Sequence, residues 1–94
     1  MPYIPDPQRD VLYPELEKLA AKIRELEPND WEGCLNYSIC MLADILAGTR
    51  YSLLQKAGGA IHYADLEFYR RVTALYEDLK CKKTGDVFRN DRGL

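Results

Sequence analysis

The sequence predicts an all-α fold built on three main helices. Apolar residues recur at spacings of three and four in three separate stretches, and each stretch is bounded by proline or glycine. No stretch carries the strict alternation of a half-buried strand. The first helix is expected at about 14–27, opening on Pro14, a residue tolerated at a first helical position. Its stripe is Leu16, Leu19, Ala20, Ile23 and Leu26, and Pro28 ends it. The second is expected at about 30–47, with Asn29 or Asp30 as N-cap and Glu32 in the first turn. Leu35, Ile39, Leu42 and Leu46 form its stripe, and Gly48 is its natural C-cap. A short helix near 52–57, capped by Ser52, follows; Gly58 and Gly59 are expected to break or bend the chain there. The longest helix is expected at about 60–81.

Four prolines (2, 5, 7 and 14) make residues 1–13 read as an extended arm, with Tyr3 and Ile4 available to dock. Residues 82–94 read as a loose tail in which Val87 and Phe88 offer something to dock. The chain reads as one small helical domain, 1–94. A domain this short buries only about 60–70% of its unfolded surface, so a core shared in a homo-oligomer is expected.

Composition narrows the function. With 47% hydrophobic and 30% charged residues the chain is globular. Thirteen basic against fifteen acidic residues leave a net charge of −2, without the surplus that duplex DNA or RNA binding draws on. Three cysteines without a C-x-x-C pair fit free thiols in a reducing compartment rather than a disulfide framework or a zinc site. No stretch approaches the ~20 apolar residues of a membrane span, and Met1–Asp10 does not read as a signal peptide. A cytoplasmic protein without membrane, metal or cofactor is expected.

On a wheel at 100° per residue, Ile61, Ala64, Phe68, Val72, Leu75 and Leu79 of the third helix share one narrow sector. Tyr69 and Tyr76 flank it, Arg70 points away, and Arg71 lies at the edge of the stripe. Glu67 and Arg71 make a favourable i,i+4 pair, and Phe68→Ala is expected to open a cavity costing ~3–5 kcal/mol. Asp65 falls in the apolar sector, where a carboxylate needs a partner, most simply a structural salt bridge.

The strings "EFYRRV" (67–72), "YED" (76–78) and "GDV" (85–87), with "MPYI", "LNY" (35–37), "YS" (51–52) and Gly59 in the same order, carry a resemblance. The chain resembles a widespread family of small uncharacterised proteins of phages, prophages, bacteria and archaea. It departs from that pattern at Leu75, where proline is expected, and at Asp65, where a basic residue is common. The resemblance implies a viral context, in which some small proteins are oligomeric sponges that sequester cyclic nucleotide immune signals without cleaving them.

Such a ligand needs aromatic faces for bases and cations or helix N-termini for phosphates. The residues expected to bind it are Tyr37, Asn36, Tyr69, Arg70, Arg71 and Tyr76, with Arg50 and Lys56 as further donors. Against this stands a plainer reading, in which Tyr37 packs between helices and Asn36 faces water. Function is therefore expected to be non-enzymatic binding of a small anionic ligand, a cyclic nucleotide being the concrete case. The alternative is a protein–protein inhibitor or adaptor acting on a host partner. An enzyme is not expected: no phosphate loop or G-x-S-x-G is present, and Cys34 and Cys40 read as buried structural thiols rather than partners of His62.

Overall fold

A computed structural model describes residues 2–88, and those residues are helical with no strand among them. The order is α1 (Asp6–Leu26), α2 (Glu32–Ala47), α3 (Tyr51–Phe68), a five-residue π-helical turn (Tyr69–Thr73) and α4 (Ala74–Thr84). The all-α expectation holds, and its element boundaries move in three places.

Helix α1 starts eight residues before Pro14, so most of the expected arm is helix. Pro5 is the N-cap, in extended conformation (φ −60°, ψ 152°), and its carbonyl accepts from the N–H groups of Gln8 and Arg9 at 3.0 and 3.1 Å. Pro7 falls in the first turn, where a missing N–H is no loss. Asp6 pairs with Arg9 across that turn. Pro14 lies inside the helix and removes one i→i−4 bond, leaving the carbonyl of Asp10 without its helical donor. Residues 9–16 are exposed, so water serves that carbonyl. At the other end the chain turns extended at Glu27 (φ −142°, ψ 85°), the residue before Pro28, as the proline ring demands.

The cap of α2 is Trp31 rather than Asn29 or Asp30, and no side chain caps it. Gly48 terminates it as expected, at φ 65° and ψ −135°, donating its N–H to Asp44 O at 3.0 Å. That backbone region suits glycine alone, whereas an added Cβ would meet no atom within 4 Å. Gly48→Ala is therefore expected to cost ~1–3 kcal/mol from the backbone alone, read as a lower denaturant midpoint with unchanged m.

The third change is the largest. Gly58 and Gly59 do not break the chain, and a continuous rod runs from Tyr51 to Thr84, with Arg50 and not Ser52 as its N-cap. Two mid-helix glycines cost only ~1 kcal/mol each against alanine, a penalty that a helix with many turns on either side absorbs. The expected tail is helical to Thr84 and stops at Gly85 (φ 89°), with Lys82 and Lys83 in the last turn, where cations suit the dipole. Val87 is 86% exposed and does not dock; residues 89–94 of that tail, like Met1 of the arm, lie outside the described residues.

Helices α2 and α3 form a hairpin across Gly48–Arg50, the one extensive packing between separate helices among the described residues. Helix α1 has no comparable packing against it. Ala47, at 5% exposure, is the one buried apolar residue of the described chain. The Cα radius of gyration is 17.7 Å, where a compact chain of this length has about 12 Å. The accessible surface is 8784 Å² for 10.8 kDa, against about 5,500 Å² for a folded monomer of that mass. Two expectations change with this openness. Phe68 is 63% exposed, so its truncation opens no cavity in the single chain. Cys34 is half-buried and Cys40 exposed, its Sγ donating to Asn36 Oδ1 at 3.6 Å, so neither is a core thiol of the protomer.

Candidate functional site

Two features of the hairpin and rod invite binding. One is an open apolar groove of about 860 Å³ between α2 and α3. Leu35, Ile39, Leu42 and Leu46 form one wall, and Ala57, Ile61, Ala64 and Phe68 belong to the other. Both sets follow directly from the helical period, which turns every third or fourth side chain to one face. Two charged residues, Lys56 and Asp65, line the same groove, and neither side chain makes an ion pair or hydrogen bond with another described residue. The structural salt bridge expected of Asp65 is thus not formed among the described residues.

The other feature is the π-turn, which falls on the YRRVT of the conspicuous "EFYRRV" string. A π-turn places one extra residue in the coil, so the helix beyond it is out of phase with the helix before it by about 100°. The six-residue sector expected from Ile61 to Leu79 is accordingly split: Ile61, Ala64 and Phe68 line the groove, while Val72, Leu75 and Leu79 do not.

Around this turn, side chains are partly committed. Arg70 pairs with Glu67, whose side chain is 15% exposed; this is an i,i+3 contact in place of the expected Glu67–Arg71 pair. Desolvation raises the Glu67 pKa, but hydrogen bonds from Arg70 and Tyr3 and the charges of Arg70 and Arg71 outweigh it and hold the carboxyl below its usual range. The hydrogen bond to Glu67 likewise raises the pKa of Arg70. Tyr3 thus brings the N-terminal segment beside this pair, as an arm with a docking tyrosine is expected to do. Tyr69 donates its hydroxyl to Glu77 Oε1 at 2.8 Å, and that bond, then the Glu77 charge, raises the phenol pKa. The ring of Tyr76 has Lys80 Nζ 6.0 Å from its centroid, at the outer limit of a cation–π contact. Arg71 makes no ion pair or hydrogen bond among the described residues.

The six residues expected to hold a ligand therefore fall into two groups. Tyr69, Arg70, Arg71 and Tyr76 sit together on the π-turn and the start of α4. Asn36 and Tyr37 sit on α2, in its second turn, where the dipole's pull on an anion has already faded. Tyr37 is 68% exposed. None of the six lines the groove. His62 is exposed with its ring edge-on to Tyr63, and no cluster among the described residues is arranged to hold a metal ion.

The groove and its two charges are what the helical pattern concealed. Asp65 was visible as a carboxylate in an apolar sector. The spacing of Lys56 relative to it becomes meaningful only once Gly58 and Gly59 are known to be helical.

Over this fold, residues 1–87 match the family described as Domain of unknown function (DUF6899). The chain belongs to that family. Its match takes in α1, the hairpin, the π-turn and α4, so both features above lie within the family's domain. No curated protein and no solved structure matches the chain. None of the described helices is long and apolar enough to cross a membrane.

Proposed function

We propose that this chain is a non-enzymatic cytoplasmic protein that binds a small anionic ligand with a flat aromatic part, and does so as a homo-oligomer. A cyclic nucleotide is the concrete ligand class. In the phage context of the resemblance, the protein acts as a sponge that withdraws an immune signal without cleaving it. The observation that carries the reading is Arg71, a cation with no described carboxylate contact, on a π-turn that also bears Tyr69 and near Tyr76. Tyr69 has its hydroxyl engaged by Glu77, which leaves the ring face for stacking. The open protomer supports the oligomer, because a second copy supplies the enclosure that a ligand site requires and a single rod lacks.

Thermal melting of the full chain with a panel of cyclic di- and trinucleotides tests this. A true ligand at a hundredfold excess over its Kd adds ~2.7 kcal/mol, a rise of about 10 °C or more for a domain of this size. Heating should then return the nucleotide unchanged. A converted nucleotide points to an enzyme, and a flat response across the panel sinks the ligand reading. The open groove by itself favours a second reading, a protein inhibitor or adaptor. On that reading a defined host polypeptide binds with Leu42 at the contact, and nucleotides have no effect.

A further inference from the structure

The N-terminal segment is tied to the end of α3 and the π-turn by a closed set of hydrogen bonds. Arg70 pairs with Glu67 and also donates to the hydroxyl oxygen of Tyr3, and that hydroxyl donates to the Glu67 carboxylate. Burial follows the same pattern. From residue 2 to residue 19 every position is exposed except Ile4, the neighbour of Tyr3. On the rod, Leu66, Phe68 and Tyr69 are 49%, 63% and 53% exposed, whereas the Glu67 side chain keeps only 15%. Pro2 and Pro5 bracket Tyr3 and Ile4. Their fixed φ keeps the segment extended, so little entropy is lost in holding it down.

This tie has a consequence for the two arginines. Glu67 stands within the field of both Arg70 and Arg71. It presents to them what a ligand phosphate presents, an anionic oxygen that accepts from guanidinium N–H groups. Being part of the same chain, it is always at hand, at an effective concentration that a free anion has to beat. Arg70 is engaged by this carboxylate and Arg71 is not. The Tyr3 hydroxyl is a second donor to the same carboxylate, and it holds Glu67 in that place.

We propose that Tyr3 and Glu67 form an autoinhibitory latch on the anion site: the strap at residues 2–5 pins the Glu67 carboxylate on Arg70 and withholds one of the two guanidinium groups from a ligand. With the latch closed, Arg71 alone receives a phosphate. With the strap lifted, Glu67 loses the hydroxyl that fixes it, and Arg70 becomes the second donor. A ligand with two phosphates settles the first on Arg71 and then displaces the carboxylate with the second, now itself at high effective concentration. A monophosphate has no second group to do this. The latch therefore selects bisphosphates. The inference deepens the functional reading and rests on its placing of the anion at Arg71, while being independent of the oligomer.

The test uses the full chain, inorganic pyrophosphate as the probe and titration calorimetry as the readout. Glu67→Gln should bind it about tenfold more tightly than the parent, and Tyr3→Phe should shift affinity the same way by about threefold. Tyr3→Phe changes no charge, so its gain does not come from removing a negative group beside an anion. Arg70→Ala is then added to the parent and to Glu67→Gln. It should cost about threefold or less in the parent and about tenfold in Glu67→Gln, a coupling that independent residues lack. Backbone amide relaxation by NMR follows the strap itself. Order parameters of the Tyr3 and Ile4 amides should fall from about 0.85 in the parent to below about 0.6 in both variants, while circular dichroism shows the helices kept. Values that stay high in both variants would overturn the latch. A mobile strap with unchanged affinity would overturn the inhibition, as would an equal cost of Arg70→Ala in both backgrounds. In those cases a parent that binds pyrophosphate keeps the functional reading standing. Failure of the parent and every variant to bind it would overturn the inhibition and the Arg71 site together.

Discussion

Leu42→Lys is expected to abolish assembly and lower the melting temperature by more than about 10 °C. In the protomer Leu42 is 49% exposed at the middle of the groove wall. Were the single chain the working unit, a lysine there would be nearly neutral, within about 0.5 kcal/mol, as at most exposed helix positions. In a core closed by a second copy the ammonium is taken out of water among apolar side chains, a loss of several kcal/mol repeated in each subunit. Light scattering joined to thermal melting across a range of protein concentrations reads both effects. The parent should melt at a temperature that climbs with concentration, since folding and association are linked, and the variant at one that does not. A variant that melts and scatters like its parent would remove the shared core. The same logic relocates Phe68→Ala: its cost of ~3–5 kcal/mol is expected in the assembly, where the groove is filled, and not in the isolated chain.

Arg71→Ala is expected to weaken cyclic nucleotide binding roughly 10–100-fold, the loss of one charge-assisted contact worth ~1.5–3 kcal/mol. Arg70→Ala should do less to binding, because that guanidinium already faces Glu67. Removing it instead releases a mostly covered carboxylate, so its effect belongs to stability. From the helical wheel alone the two arginines look interchangeable as phosphate donors. The π-turn and the Glu67 contact separate them. Titration calorimetry on the two variants, each checked for retained helicity, measures the difference. Equal affinity in Arg71→Ala and the parent would place the ligand site elsewhere on the molecule.

Several features were legible from residue types because they depend on neighbours a few positions away. Gly48 ends α2 because the chain there adopts a positive φ that glycine alone tolerates, and the residue preceding Pro28 turns extended as any residue before proline tends to. The four-three spacing of leucines announces an amphipathic helix wherever it stands. Local signals also misled. Pro5 and Pro7 look like helix breakers until it is seen that they occupy a cap and a first turn, and Gly58–Gly59 looks like a break until the rod on either side carries it through.

The amino-acid sequence by itself determined that this is a helical chain with leucine seams, a near-neutral charge and an arginine–tyrosine cluster in its C-terminal third. Tertiary structure decided how those pieces are used. It set the π-turn that dephases the rod and committed Arg70 to Glu67 while leaving Arg71 without such a contact. It also placed Lys56 and Asp65 along the α2–α3 groove with no side-chain partner among the described residues. The physical reason is one of range. Helix period and caps are written in bonds between residues three or four apart, whereas register, pairing and the closing of a core depend on which distant surface arrives.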